Sequence, residues 1–269
     1  VAPEDGIDAH PAVVAARRVA HGVLAPAAAQ VDRTAVPRSH LDALAAAGLL
    51  GVGSPVDLGG GGAPPPVVRR VQEVLAAADL ATWFVQVQHR SGAVLAAASP
   101  RHRVLARDLA SGRRLAGIAF SHLRRWPRRP VVAERDGDGW LLTGTAPWYT
   151  GWGLGDVAVV GGLTAADEVV FGAVDAREQP GLTVSEPMDV AALRAALTVT
   201  LRLDGLRLRP DEVLVVEPHA AWAAADARPT RNPSPAVFGV AESALGLLAD
   251  LGRRRDEPAG VDAAARIGA

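Results

Sequence analysis

WLLTGTAPWYTGWGLGDVAVVGG, residues 140–162, holds two runs with the composition of buried strands, WLLTG and DVAVVGG. The connection between them carries Trp148, Tyr149, Thr150 and Trp152, so two of the chain's 6 Trp and its 1 Tyr gather in one short segment. Two readings fit. One is a β-hairpin whose rings cover the end of a core, since Trp and Tyr bury a ring while wetting a polar tip. The other is a platform of flat side chains for a planar ligand, with the Thr150 hydroxyl and backbone N–H groups at its edge.

On the C-terminal side of this stretch the short-strand pattern continues. EVVFGAVDA, LTVSEP and LTVTLRLDGLRL follow it, as AGIAFSH and PVVAERDGDGW precede it. They are rich in Val, Leu and Thr, punctuated by Gly, Asp and Pro, and Asp136-Gly137-Asp138-Gly139 is a hairpin signal. Strands without intervening helices predict an antiparallel barrel or sandwich over residues 116–217. On the N-terminal side, residues 1–115 have helical periodicity. Val13, Val14, Arg17, Arg18, His21 and Leu24 predict a first helix ending near Pro26. Ser39 is the expected N-cap and Gly48 the C-cap of a second, and three more are predicted between Val67 and Ser111. Residues 218–269 return to helix: a short piece at Ala220–Ala227, a longer one at Ala236–Arg255, a break at Asp256–Gly260, and a further element in VDAAARIGA. The fold class expected is therefore α+β and multidomain, with the C-terminal bundle incomplete.

Composition narrows the function. Of 269 residues, 49% are hydrophobic and 21% charged, the profile of a globular protein with a sizeable core. Basic and acidic totals of 28 and 29 nearly cancel, which gives no reason to expect nucleic acid. Every basic residue is Arg, removing Schiff-base chemistry, and the absence of Cys removes thiolate catalysis and Cys-ligated metal. His21, His40, His89, His102 and His219 show no metal-ligand spacing. No apolar run is read as a membrane span and no signal peptide opens the chain, so the expected location is cytoplasmic. Gly59–Gly62 stand before a helix, but Pro64-Pro65-Pro66 remove the donors a phosphate loop needs.

Gly144, Trp148-Tyr149-Thr150-Gly151 and Asp156 resemble the segment G-x-K-x-W-I-[ST]-N-[GA]-x-x-A-D of the acyl-CoA dehydrogenase superfamily. The Lys and Asn of that pattern are Ala146 and Gly151 here. A second likeness is P-x6-L-x3-G-L-L-G-x3-P, running from Pro37 to Pro55, which resembles the superfamily's N-terminal helical domain. The resemblance implies FAD as cofactor, with Trp148 beside the flavin, the Thr150 hydroxyl near its reactive edge, and Ser121 as a further contact. It implies α,β-dehydrogenation of an acyl thioester, with hydride transfer to the flavin and onward transfer to an electron acceptor.

Departures from the family are also legible. Relatives carry [ST]-E-P-x-x-G-S-D after the first strand, whereas this chain has Ser121-His122-Leu123-Arg124-Arg125-Trp126-Pro127-Arg128-Arg129. Arg124 and Arg125 are candidate contacts for a thioester's phosphates, or simply surface charge. The family's catalytic Glu comes from the C-terminal helices, and Glu242 is the candidate on the corresponding helix. Arg255-Asp256-Glu257-Pro258 stands where relatives have Arg-x-x-F-G. These departures are explained by one alternative, a non-catalytic subunit completing a partner's flavin site; another alternative is a flavin-dependent monooxygenase of the same fold. The stripe Val237, Val240, Ala241, Ala244, Leu247, Leu248 and Leu251 predicts assembly, as a homo-oligomer or with a related subunit.

Overall fold

The computed structural model describes residues 4–228 and 233–255, so the expected break at 256–260 and the element expected after it lie outside the described residues. The N-terminal helices are α1 (Glu4–Asp8), α2 (Pro11–Val19), α3 (Ala25–Arg33), α4 (Arg38–Ala46), α5 (Pro65–Ala78), α6 (Leu80–Ala98) and α7 (Arg103–Ala110). Asp79 divides α5 from α6, its carboxylate accepting the N–H groups of Ala81 and Thr82 as an N-cap. The Thr82 hydroxyl donates to the same carboxylate at 2.6 Å and lies 3.0 Å from Nδ1 of buried His40, so a buried polar network ties α4 to α6.

Two local expectations fail. The first helix does not stop near Pro26, because a π-helical turn, Ala20–Leu24, carries α2 into α3. Ala25 N–H reaches back to Ala20 O, and Pro26 then sits in the first turn of α3, where its missing donor leaves little unmet. Ser39 is not a cap, for α4 begins at Arg38 with Pro37 in the cap position. Gly48 does end that helix in the left-handed conformation, φ 69, with Leu49 N–H bonded to Leu44 O.

From Ala116 the chain builds a sheet: β1 (Ala116–Ala119), β2 (Val131–Asp136), β3 (Gly139–Tyr149), β4 (Val157–Leu163), β5 (Glu168–Asp175), β6 (Leu182–Val184), β7 (Val199–Leu208) and β8 (Val213–Pro218). Its order is β6-β7-β3-β2-β4-β5-β8, with β1 beside β4. Five pairings are antiparallel as expected: β2–β3, β3–β7, β4–β5, β5–β8 and β6–β7. The strand β1 differs, running parallel to β4, and β2 meets β4 in parallel at Val132–Leu163. The hairpin reading of residues 140–162 is corrected. β3 pairs with β2 and β7 while β4 pairs with β1, β2 and β5, so the connection crosses the sheet instead of folding back.

The helix α6 lies on this sheet, and Gly92 permits the approach: a Cβ there would stand 2.7 Å from that of Ala116. Phe120, Phe171 and Trp222 fill the layer between them, while Tyr149, Leu142 and Leu201 fill the opposite face of the sheet. After β8 come α8 (His219–Ala227) and α9 (Pro235–Arg255). Gly239 brings α9 close to α5, since a Cβ there would lie 2.2 Å from Glu73 O. The predicted apolar stripe of α9 is exposed along its whole length. By length and composition, with a mean hydropathy of 1.3, residues 235–254 are long and apolar enough to cross a membrane, against the expectation that no run in the chain is. One face of this helix is nevertheless occupied by α5.

Candidate functional site

Between Ala146 and Tyr149, β3 carries one residue more than the length of β7 it faces. Within this bulge Trp148 has φ 67, a left-handed conformation uncommon for a residue with a side chain. The bulge turns Trp148 outward, 51% exposed, and sends Tyr149 wholly inward. Thr150 follows, buried, its Oγ1 3.1 Å from Oγ1 of buried Thr198. Left-handed backbone recurs close by, at Gly151, Gly153, Leu193 and Leu197. Leu193 and Leu197 flank the turn Arg194–Ala196. There Ala196 O accepts Gly151 N–H at 2.8 Å and Ala195 O accepts Val36 N–H at 2.9 Å. The end of β3, the approach to β7 and the helical layer are thus joined at one point. Non-Gly residues in such conformations cost about 1–3 kcal/mol each, and persist where surrounding bonds over-determine them.

Thr150 helps line a narrow cavity of about 10 Å³, with Leu41 of α4, Val85 and His89 of α6, Leu115–Gly117 entering β1, and Gly151, Leu154 and Gly155. His89 is not free for chemistry there. Ala116 N–H donates to its Nδ1 at 3.0 Å, leaving Nε2–H to donate to Leu109 O at 3.1 Å. Burial pushes its pKa down to about 4, so the ring is neutral and structural. The Tyr149 hydroxyl, wedged against Gly117 and Gly155, has no hydrogen-bond partner. Burial, with Asp156 nearby, raises its pKa.

Ser121, half-buried, opens the turn Ser121–Arg125 after β1, which packs beside β3. His122 is buried and its Nε2–H donates to Gly161 O at 2.9 Å. That carbonyl lies on β4 past the end of β1 and before the single pairing with β2, so the imidazole fills a gap in the sheet. Burial, helped by Arg125, holds its pKa down to about 4. Arg124 forks onto Asp226 of α8 at 2.7 and 2.8 Å. Arg129 pairs with Asp167, which also accepts Trp126 Nε1–H at 3.1 Å, and the Trp126 ring stacks on His219 with centroids 5.5 Å apart. Of the two arginines singled out from the sequence, Arg124 is committed to α8 and Arg125 is exposed. Glu242 lies on α9, 61% exposed and 3.4 Å from Arg70 of α5, and does not line the cavity. The glycine loop spends its donors internally, Gly60, Gly61 and Gly62 N–H bonding to Pro55, Gly51 and Ser54 carbonyls.

The sequence reading passed over Thr198, Val85 and Leu154. Thr198 sits in a strand-like run with nothing local to distinguish it, and its partner is 48 residues away.

Helical layer, crossed sheet and bulged strand end together make an architecture that known proteins share. The sequence model of the family "Acyl-CoA dehydrogenase, N-terminal domain" matches residues 11–106. Beyond that N-terminal match, the chain is similar to curated proteins that act on acyl-CoA thioesters. It is 26% identical over 264 residues to 3-sulfinopropanoyl-CoA desulfinase of Paraburkholderia xenovorans (strain LB400), covering 90% of this chain and 66% of the relative. It is 25% identical over 242 residues to the mitochondrial short-chain specific acyl-CoA dehydrogenase of Homo sapiens, covering 86% of this chain and 58% of the relative. Similar solved structures include glutaryl-CoA dehydrogenase from Mycobacterium smegmatis in complex with FADH2, with TM-score 0.72, 23% identity, and coverage of 91% of this chain and 62% of that one. FMN-bound TdsC from Paenibacillus sp. A11-2 superposes with TM-score 0.74 at 22% identity, over 91% of this chain and 65% of that one. The chain thus spans less than two thirds of the length of these relatives.

Proposed function

We propose that this chain supplies the flavin-facing part of an acyl-thioester dehydrogenase, acting on an acyl-CoA or a carrier-bound acyl group with FAD as hydride acceptor. The observation that carries the reading is the bulge that turns Trp148 outward while setting Thr150 against Thr198 above an apolar cavity. The donor set fits a flavin: an exposed aromatic face, and a hydroxyl pair in which either oxygen can be the donor. Trp148, Thr150 and Ser121 would hold it, and when bound it supplies the two-electron acceptor. The chain's own part is to keep water out with Leu41, Leu50 and Val85, and to offer at Thr150 either a proton or a lone pair. Arg125 is the arginine left for phosphates of a thioester. Among the described residues no carboxylate lines the cavity, which supports a second reading, a non-catalytic subunit that completes a related subunit's flavin site. Neighbours with FMN and with FADH2 make the choice of flavin part of the test. A flavin-dependent monooxygenase of this fold is the third reading. Titration of the purified chain with FAD and with FMN, followed by flavin fluorescence, is expected to show binding that Thr150→Val and Trp148→Ala each weaken about tenfold, roughly the 1–1.5 kcal/mol of a lost hydrogen bond or ring contact. Equal affinity for wild type and both variants rejects this seat for the flavin.

The assembly part of the proposal is a cytoplasmic homo-oligomer, or a hetero-oligomer with a related subunit, formed through α9. Each exposed Leu there forgoes about 1.5–3 kcal/mol of burial, so the stripe favours a protein neighbour over water. Light scattering at micromolar concentration should give a multiple of the chain mass, and a monomer would overturn it.

A further inference from the structure

The cavity at Thr150 is too small for an acyl chain. At about 10 Å³ it holds one water, whereas small-molecule sites run from about 300 Å³ upward. One wall is built differently from the rest. Leu41, Val85 and His89 stand on helices, but Gly151, Leu154 and Gly155 belong to the turn GWGLG, residues 151–155. Gly151 and Gly153 have φ 82 and 84, and three glycines in five residues let this backbone change path without side-chain clashes. Its own bonds are few: Leu154 N–H to Gly151 O at 3.0 Å, Gly151 N–H to Ala196 O, and a longer one from Trp152 N–H to Leu197 O at 3.3 Å.

Arg38 holds the turn in place from outside. Its guanidinium, on the first turn of α4, donates to Leu154 O at 3.0 Å and stands 3.6 Å from Asp156, with Asp42 behind it at 3.1 Å. Leu41, three residues further along the same helix, lines the cavity, so α4 both walls the space and fastens its cover. Asp156 is the fixed post, since its carboxylate and its N–H bond to Leu115 N–H and O at 2.7 and 2.8 Å. Arg38 is itself partly exposed, so water and ions reach the contact.

We propose that residues 151–155 are a lid fastened by Arg38, and that releasing Arg38 moves Leu154 aside and admits an acyl chain to Thr150. The acyl assignment rests on the acyl-thioester reading above; the lid does not. Hydrogen exchange of the full chain, as wild type, Arg38→Ala and Arg38→Lys, with and without butyryl-CoA, tests both parts. In Arg38→Ala the Trp152 and Leu154 amides should exchange about tenfold faster while amides of α5 and β4 keep their rates, the mark of a local opening. Arg38→Lys, which keeps the charge but not the fork, should fall between. Butyryl-CoA should slow the same amides again. Unchanged lid exchange in Arg38→Ala, or acceleration spread over the whole chain, overturns the lid. Faster lid exchange that butyryl-CoA does not slow overturns the acyl assignment alone.

Discussion

Two segments leave strand ends beside the candidate site and are held by different means. Residues 121–130 are tied down largely by charged side chains: Arg124 to Asp226, Arg129 to Asp167, and Trp126 onto His219. Residues 148–156 are held by left-handed backbone and main-chain hydrogen bonds, with Arg38 as their one cationic fastener among the described residues. The first loop has no carboxylate of its own, and Asp226 of α8 and Asp167 before β5 supply them from outside it. Substitution in such a loop can be absorbed by its partners. In the second segment the backbone itself is specified, so tolerance is low where a Cβ has no room.

The largest expected effect is common to both segments, because a neutral buried imidazole braces each. His122 sits under the first loop and His89 holds the start of β1, beside the second. Their folded pKa of about 4 lies below the ordinary 6.5, so above pH 6.5 neither makes stability depend on pH. As pH falls from about 6.5 to about 4 the unfolded chain takes up protons that the folded chain refuses, and stability drops by about 3 kcal/mol per histidine before levelling. Denaturant unfolding at pH 7 and pH 4 measures this. His122→Gln should lose about half of what the wild type loses, and equal losses would contradict a neutral brace under the first loop.

Next in size is Gly117→Ala, which tests the floor of the second segment. The new Cβ would lie 2.3 Å from the Tyr149 hydroxyl oxygen, on a ring with no free space around it. Overpacking of this kind costs about 1–3 kcal/mol. Tyr149→Phe in the same chain should return part of it; a denaturation midpoint unmoved by Gly117→Ala would show that the segment yields more readily than its backbone implies. The smallest effect belongs to the first loop. Arg124 is 53% exposed, so Arg124→Ala should cost below about 1 kcal/mol, and less still in 1 M salt. A loss above 2 kcal/mol, insensitive to salt, would erase the distinction between the two segments.

Much of this architecture was legible in residue order. The change of period at Ala116, the Gly137-Asp138 turn with φ 61 at Gly137, and the left-handed Gly48 are local events with local signatures. The stripe on α9 was equally plain, and it faces outward. The site was legible only in part. Trp148 and Thr150 drew notice through their residue types, but the bulge that separates an outward Trp148 from an inward Tyr149 depends on β7 opposite them.

By itself, then, the sequence determined the succession of helices, strands and turns, because hydrophobic period, caps and glycine conformations act within a few residues. Only the tertiary structure decided that β3 pairs with β2 and β7, that Thr150 meets Thr198, and that Glu242 answers Arg70. Those contacts join positions 48 and 172 residues apart in the latter two cases. Their free energy lies in burial and pairing across the folded chain, so no neighbouring residue carries a trace of them.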